Sequence, residues 1–323
     1  MKKIVVIGGG TGIYPVTSAL KHLDTSVSTV ITVSDNGGSA GRIRDEFGFQ
    51  PVGDLRQSLA ALAENEGQEW IRNLLLYRFD RGDGLKGHNM GNLILTALQD
   101  MTGSTDEALQ KATQIFRIEG EVIPATTTTV DLKIIYHDGT EIIGEDFLDQ
   151  PEAPSKKIDR VELVPEASIN PRAQAAIQNA DYIIIGPGDF YASIMPALVC
   201  SGTKEAFANS SAKVLYLLNL MTRSTQTKDM SAHDHVSRIE DTIGKPVTTI
   251  IMNDQVISAE ILTQYAQHEE FPVDDDLNDD TRVVRAPILS DEAYIKPKSD
   301  VAHRSVLRHD SKKLIPVLRS LIQ

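Results

Sequence analysis

The sequence predicts an α/β protein: a Rossmann-like, doubly wound, mostly parallel sheet with helices on both faces. Three observations point there. Residues 4–7 form an unbroken apolar run that stops at Gly8-Gly9-Gly10-Thr11-Gly12. A second run, residues 27–33, follows a helical stretch and stops at Ser34-Asp35-Asn36-Gly37-Gly38-Ser39. The same strand, turn and helix order returns from Asp181 onward. Apolar runs without alternation mark strands covered on both faces, which a parallel sheet between helical layers supplies.

Taken in order, residues 13–23 carry helical spacing, and Pro15 suits a first turn, where its missing N–H goes unneeded. Residues 54–64 read as a helix with Asp54 as N-cap, followed by helical periodicity at 70–79 and 92–101. Ser104-Thr105-Asp106-Glu107 caps a helix reaching Phe116. The character changes near Val122. Residues 126–136 and 141–147 are rich in β-branched side chains and flank His137-Asp138-Gly139-Thr140, a hairpin turn, and 158–164 alternates like a third strand. Residues 121–165 are therefore read as a small antiparallel β insertion within one Rossmann-like domain spanning 1–323, its exit marked by Pro151, Pro154 and Pro165. Beyond it come strands at 181–185, 214–218 and 247–252, with helices running to Val199 and over 232–243. Asp274-Asp275-Asp276 and Asp279-Asp280 read as a solvated loop, and 310–321 as an amphipathic helix.

The composition suits a globular chain: 323 residues, 41% hydrophobic and 24% charged. A net charge of −13 argues against nucleic acid or an anionic membrane surface as partner. It leaves room for a small anion held by a few N–H groups and arginines. The single cysteine, Cys200, forms no disulfide framework within the chain and reads as a small buried residue. No apolar stretch approaches the roughly 20 residues of a membrane span, and no leader precedes the first strand, so the expectation is a cytoplasmic protein without membrane insertion. Apolar helix faces serve a core or an interface equally, which leaves a homo-oligomer open.

In open parallel sheets, ligands bind beyond the carboxyl ends of the strands. Here those ends carry small or polar residues: Gly8, Gly9, Gly10, Thr11 and Gly12; Asp35 and Asn36; Gly188 and Asp189; Asn219 and Thr222; Asn253 and Asp254. The first loop fails the dinucleotide fingerprint, because Ile13 stands where glycine is required, and no Gly-Lys-Ser/Thr follows for a P-loop. What remains is a glycine-rich turn before a helix, a phosphate cradle or a tight packing turn. Asp35 sits where a carboxylate accepts from two ribose hydroxyls; the same group suits Mg²⁺. Arg42 and Arg44 offer bidentate phosphate contacts. Asn89 and Asn92, three apart, offer donors and acceptors to a base or sugar, or cap a helix. His88 is a candidate general base or a structural histidine. His233 and His235 lack an evident third metal ligand, and no Gly-x-Ser-x-Gly context surrounds any serine.

These motifs, together with Pro51-Val52-Gly53-Asp54-Leu55-Arg56 and Gly87-His88-Asn89-Met90-Gly91-Asn92, resemble the CofD-like superfamily, and within it the branch called YvcK or gluconeogenesis factor. The resemblance runs from Lys3 to about Leu318. It implies a Rossmann-like core with an inserted β element. For the enzyme branch it implies Mg²⁺-dependent transfer of a phospho-group, as in 2-phospho-L-lactate transferase. On a transferase reading Asp35 and Asp54 are the metal-ligand candidates and, with His88 as general-base candidate, the catalytic candidates. For the YvcK branch it implies binding of a UDP-sugar such as UDP-N-acetylglucosamine, and regulation of cell shape and wall synthesis during gluconeogenic growth through a protein partner. Arg308-His309-Asp310 looks like that branch's tail motif, which implies a ligand role for Arg308, and Ser311 falls where the branch carries a phosphorylatable residue. The second-strand loop departs from the acid-rich stretch of the enzymes, which favours binding without turnover and no resident cofactor, with Mg²⁺ only if the chain is an enzyme.

Overall fold

The computed structural model describes residues 1–63, 69–150, 153, 155–291 and 305–322. Among them the chain forms β1 (Lys2–Gly8), α1 (Tyr14–Leu20), β2 (Thr25–Ile31), α2 (Gly38–Phe47), α3 (Gly53–Leu62), α4 (Glu69–Leu76), α5 (Met90–Thr102), α6 (Thr105–Phe116) and β3 (Glu121–Pro124). Then come β4 (Asp131–Tyr136), β5 (Glu141–Ile143), β6 (Ile158–Val164), α7 (Pro171–Gln178), β7 (Tyr182–Ile185), α8 (Met195–Leu198), α9 (Thr203–Ala208) and β8 (Lys213–Leu217). The last are α10 (Ala232–Ile243), β9 (Thr249–Asn253), α11 (Ala259–Ala266), β10 (Val283–Ala286) and α12 (Ser311–Leu321). Seven strands make one parallel sheet in the order β10-β9-β8-β7-β1-β2-β3; β5-β4-β6 form a separate antiparallel sheet.

Strand periodicity divides the core. Val5, Ile7, Ile183, Ile185, Val214 and Tyr216 point to one face, packed against Ile177, Phe207, Val236 and Ile239. Ile4, Val6, Ile184, Leu215 and Leu217 point to the other, against Val16, Leu20, Leu55, Leu59, Leu314 and Leu318. Each fully buried aliphatic side chain contributes roughly 1.5–3 kcal/mol relative to exposure, so both faces need cover. The chain runs outward from β1 through β2 to β3, and in the opposite direction from β7 to β10. The order therefore reverses between β1 and β7, and the crevice beyond their carboxyl ends is where such a sheet receives a ligand.

Several sequence expectations shift. Glu121–Pro124 pairs in parallel with β2, from Ser28↔Glu121 to Ile31↔Pro124, so residues 121–124 are the edge of the main sheet and not part of the antiparallel element. The strand expected from Thr126 begins at Asp131. The Gln50 side-chain amide donates to the Thr126 and Thr128 carbonyls, at 2.9 and 2.7 Å, and removes them from a ladder. The strand expected to Phe147 stops at Ile143, because Gly144 turns the chain at φ 121. Asp54 lies inside the first turn of α3 and not at its cap, which is Val52. α4 ends at Leu76, with Trp70 exposed. Ser104 caps α6 as expected, its Oγ accepting from Glu107 N–H at 3.3 Å. The sequence reading missed α2, whose Gly-Ser-Ala-Gly start looks like a loop, together with α7, α9, α11 and the edge strand β10. The acidic stretch is tied down rather than merely solvated: Asp275 pairs with Arg285 at 2.7 Å, and Asp280 with Arg282 at 2.6 Å. Cys200 is buried, and burial pushes its thiol up to about 12. Glu64, Pro151 and Pro154 lie outside the described residues. Among the described residues, no helix is long and apolar enough to cross a membrane.

Candidate functional site

A cleft of about 130 Å³ opens at the crevice between β1 and β7. Its first wall is the glycine loop. None of Gly8, Gly9, Gly10 and Gly12 has a left-handed φ; the need for glycine is steric. A Cβ on Gly10 would stand 2.1 Å from the Asp54 carbonyl oxygen, and one on Gly12 2.4 Å from that of Pro187. Gly8 and Gly10 thus let β1, α1 and α3 approach each other closely, while Gly9, Thr11 and Gly12 line the cleft. The N–H groups of Gly9, Gly10, Thr11 and Gly12 meet no acceptor among the described residues. Unengaged amides beside a helix start favour an anion.

The second wall comes from β7. Pro187, Gly188 and Asp189 lead into a π-helical turn at Phe190–Ile194, which brings Ser193 into the cleft. Gln226 holds that turn, its Oε1 accepting from the N–H groups of Tyr191 and Ala192, both at 3.2 Å. Beyond β8, Asn219 donates its side-chain amide to the Gly188 carbonyl at 2.8 Å and ties the two strand ends together. Thr222 Oγ1 exchanges hydrogen bonds with Phe271 and is engaged in holding the rim. Arg223 Nε lies 3.8 Å from Asp189 and 3.9 Å from the buried Glu270 carboxylate, balancing charge that burial would otherwise make costly.

The roof is the segment before α12. Leu289 and His309 form a β-bridge, with Ser290 N–H donating to the Arg308 carbonyl at 2.9 Å and Asp310 N–H to that of Ile288 at 2.8 Å. Tyr265 Oη accepts from Leu307 N–H at 3.0 Å and fixes the same stretch. Arg308 and His309 thereby reach the cleft. Burial pushes His309 down to about 4, aided by the Arg308 charge and opposed by the Leu218 carbonyl. Asp310 caps α12, accepting from Lys312 and Lys313 N–H at 2.7 and 3.0 Å, and Ser311 is the helix's first residue.

The structure brings Gly9, Thr11, Gly12, Asp54, Gly188, Asp189, Asn219, Thr222 and Arg308 to this one cleft. It places the other candidates elsewhere. Asp35 Oδ1 accepts from Gly37 N–H at 2.8 Å in its own loop, and Asn36 Oδ1 accepts from Asp146 N–H at 2.9 Å, anchoring the β insertion. Asn89 caps α5, accepting from Gly91 N–H at 2.9 Å and donating to the Leu76 carbonyl at 3.0 Å. Asn92, 2% exposed, donates to Ser39 Oγ at 3.4 Å, and His88 Nδ1 meets the same oxygen at 3.3 Å. Burial first, then Arg42, lowers the His88 pKa. Arg44 pairs with Asp131 at 2.7 Å, holding the β insertion. Sequence reasoning missed Ser193, Arg223, Tyr265, Glu270 and His309, whose only local signal was the Arg308-His309-Asp310 triplet.

A divalent ion has a partial fit. Among the described residues no three His, Cys, Asp or Glu side chains converge as a ligand cluster. Mg²⁺ held jointly with ligand phosphates needs only one or two carboxylates, and Asp54, unlike Asp35, faces the cleft.

The family described as 2-phospho-L-lactate transferase CofD matches residues 4–291. The chain is 35% identical over 324 residues to the gluconeogenesis factor of Bacillus subtilis, covering 99% of this chain and 98% of that protein. It is 34% identical to the gluconeogenesis factor of Halalkalibacterium halodurans, covering 97% and 94% of the two chains. A crystal structure of a Bacillus halodurans protein superposes with a TM-score of 0.86 at 32% identity, over 98% of this chain and 99% of that one.

Proposed function

The chain belongs to the CofD family, in its gluconeogenesis-factor branch, and on that premise we propose that it is a cytoplasmic regulator that binds a UDP-sugar, such as UDP-N-acetylglucosamine, without consuming it. In this reading the occupied state acts on a protein partner to adjust cell shape and wall synthesis during gluconeogenic growth. The observation that carries it is the meeting of the unengaged Gly9, Gly10, Thr11 and Gly12 N–H groups with Arg308 at one cleft. Amide dipoles and a guanidinium converging on one point are complementary to a diphosphate. The small volume of the cleft suits the diphosphate itself, with nucleoside and sugar lying along its mouth near Asn219, Tyr265 and Arg308. Asp35, Asn36, Asn89 and Asn92 then serve as the frame behind the cleft.

The test is calorimetric titration of the protein with UDP-N-acetylglucosamine, with and without Mg²⁺, followed by analysis of the recovered ligand. Saturable binding with intact ligand is the expected result. Mg²⁺-dependent breakdown would replace the regulator with a phospho-group transferase acting through Asp54.

A further inference from the structure

Among the described residues, two hydrogen-bonding groups lining the cleft have no protein partner. His309 is 7% exposed, and its Nε2 is buried without a hydrogen-bond partner. Asn219 Oδ1 is likewise buried without a partner. Both residues line the same cleft. Their polarity can be assigned from their neighbours. The Gly188 carbonyl accepts from Asn219 Nδ2 at 2.8 Å, which fixes the amide orientation and leaves Oδ1 as a bare acceptor. The Leu218 carbonyl, one residue away, favours a proton on the His309 ring, and since Nε2 has no partner that proton belongs on Nδ1. At neutral pH the buried ring is uncharged, so Nε2 presents a lone pair. A buried acceptor left unmatched costs about 1–3 kcal/mol, and such a group in a cleft asks for a donor from outside the chain.

We propose that His309 Nε2 and Asn219 Oδ1 form an acceptor pair that receives the O–H groups of a sugar ring on the bound ligand. The inference rests on the reading of the cleft as a phosphate site and adds what that reading leaves open. The glycine-loop amides and Arg308 guanidinium supply donors, which favour phosphate oxygens and leave the proton of a sugar hydroxyl without an acceptor. The pair supplies acceptors only, which repel phosphate and reward a hydroxyl. Donors and acceptors in one cleft select a phosphorylated sugar over inorganic phosphate or pyrophosphate. A site built to match a hydroxyl discriminates strongly against an analogue lacking it, because its own buried group is then left unpaired.

The experiment compares the wild-type chain with His309→Phe, which keeps a planar ring and deletes the lone pair. The probes are UDP-N-acetylglucosamine, UDP-glucose analogues with single ring hydroxyls replaced by fluorine, and inorganic pyrophosphate. His309→Phe is expected to weaken UDP-N-acetylglucosamine at least tenfold while pyrophosphate changes by less than twofold. At least one fluorinated analogue should lose a similar factor against the wild type and nothing further against His309→Phe. The variant removes the unmatched Nε2 and also the Nδ1–H that meets the Leu218 carbonyl, so its melting temperature is measured beside the affinities and the comparison is made where the chain is folded. A His309→Phe chain that loses pyrophosphate in parallel assigns His309 a purely structural role and overturns the proposal. So does unchanged affinity for UDP-N-acetylglucosamine. If His309→Phe fails to fold, the fluorinated analogues on the wild type decide alone: equal affinity with the parent sugar overturns the pair. Failure of both UDP-N-acetylglucosamine and pyrophosphate to bind the wild type removes the phosphate reading and the acceptor pair together. Binding of both with indifference to His309 removes only the pair.

Discussion

Gly10 and the Asp54 carbonyl are so close that a methyl group on Gly10 would sit 2.1 Å from that oxygen. The contact joins the end of β1 to the first turn of α3, two elements 44 positions apart in a chain whose glycine loop looks, from its letters, like a ligand cradle. Part of the glycine requirement is therefore packing, while the N–H groups of Gly9, Gly10, Thr11 and Gly12 meet no acceptor among the described residues.

Gly10→Ala should destabilise the fold by about 1–3 kcal/mol, since a backbone oxygen cannot swing aside as a side chain would. For a chain of this size that lowers Tm by roughly 1–2 °C per kcal/mol. Gly37→Ala, whose Cβ would meet only Asp35 Oδ1 at 3.3 Å, is the control and should melt close to the parent. Thermal melts of the two variants decide it; equal melting would refute the steric account.

Arg308→Ala should weaken UDP-N-acetylglucosamine by tenfold to a hundredfold, because a charge-assisted hydrogen bond contributes about 1.5–3 kcal/mol and 1.4 kcal/mol is about a factor of ten. Isothermal titration at fixed ionic strength measures it. Unchanged affinity would remove Arg308 from the site.

Asn89→Ala should cost about 1–2 kcal/mol through loss of the α5 cap and of the bond to the Leu76 carbonyl. Ligand affinity, measured where the variant is still folded, should stay within twofold. A selective loss of ligand affinity without loss of stability would restore Asn89 as a ligand-reading residue.

Acid should destabilise the protein through its buried histidines. His309 falls from 6.5 to about 4 on folding, so the unfolded chain takes up a proton that the folded chain refuses. Its contribution to stability is fully present above pH 6.5, is lost as pH drops from 6.5 toward 4, and changes no further below that. At about 1.4 kcal/mol per unit, stability at pH 5 should be about 2 kcal/mol below that at pH 7 from this residue. His235, whose pKa burial also lowers, adds in the same direction. Urea unfolding at the two pH values, repeated with His309→Phe, should show a shallower pH slope in the variant.

Much of what depends on neighbours in the chain was legible in the sequence, although α2, α7, α9 and α11 were missed. The apolar runs that became β1, β2, β7 and β8, the Ser104 cap, the hairpin turn at Gly139 and the burial of Cys200 each follow from local pattern. So did the failure of the dinucleotide fingerprint at Ile13 and the set of polar strand ends. The tertiary structure alone decided which strand ends share a cleft. Glu121–Pro124 became a sheet edge because β2 offered it a parallel register. Asn36 and Asn89 were claimed by the backbone of Asp146 and Leu76, partners far beyond any local window. Arg308 and His309 reach the glycine loop from almost the other end of the chain because Leu314 and Leu318 pack α12 beside Val16 and Leu20 of α1, and the preceding segment bridges to Leu289. Backbone propensity and side-chain pattern act over a few residues, whereas a binding site is an agreement among distant ones, fixed only when the sheet closes its order.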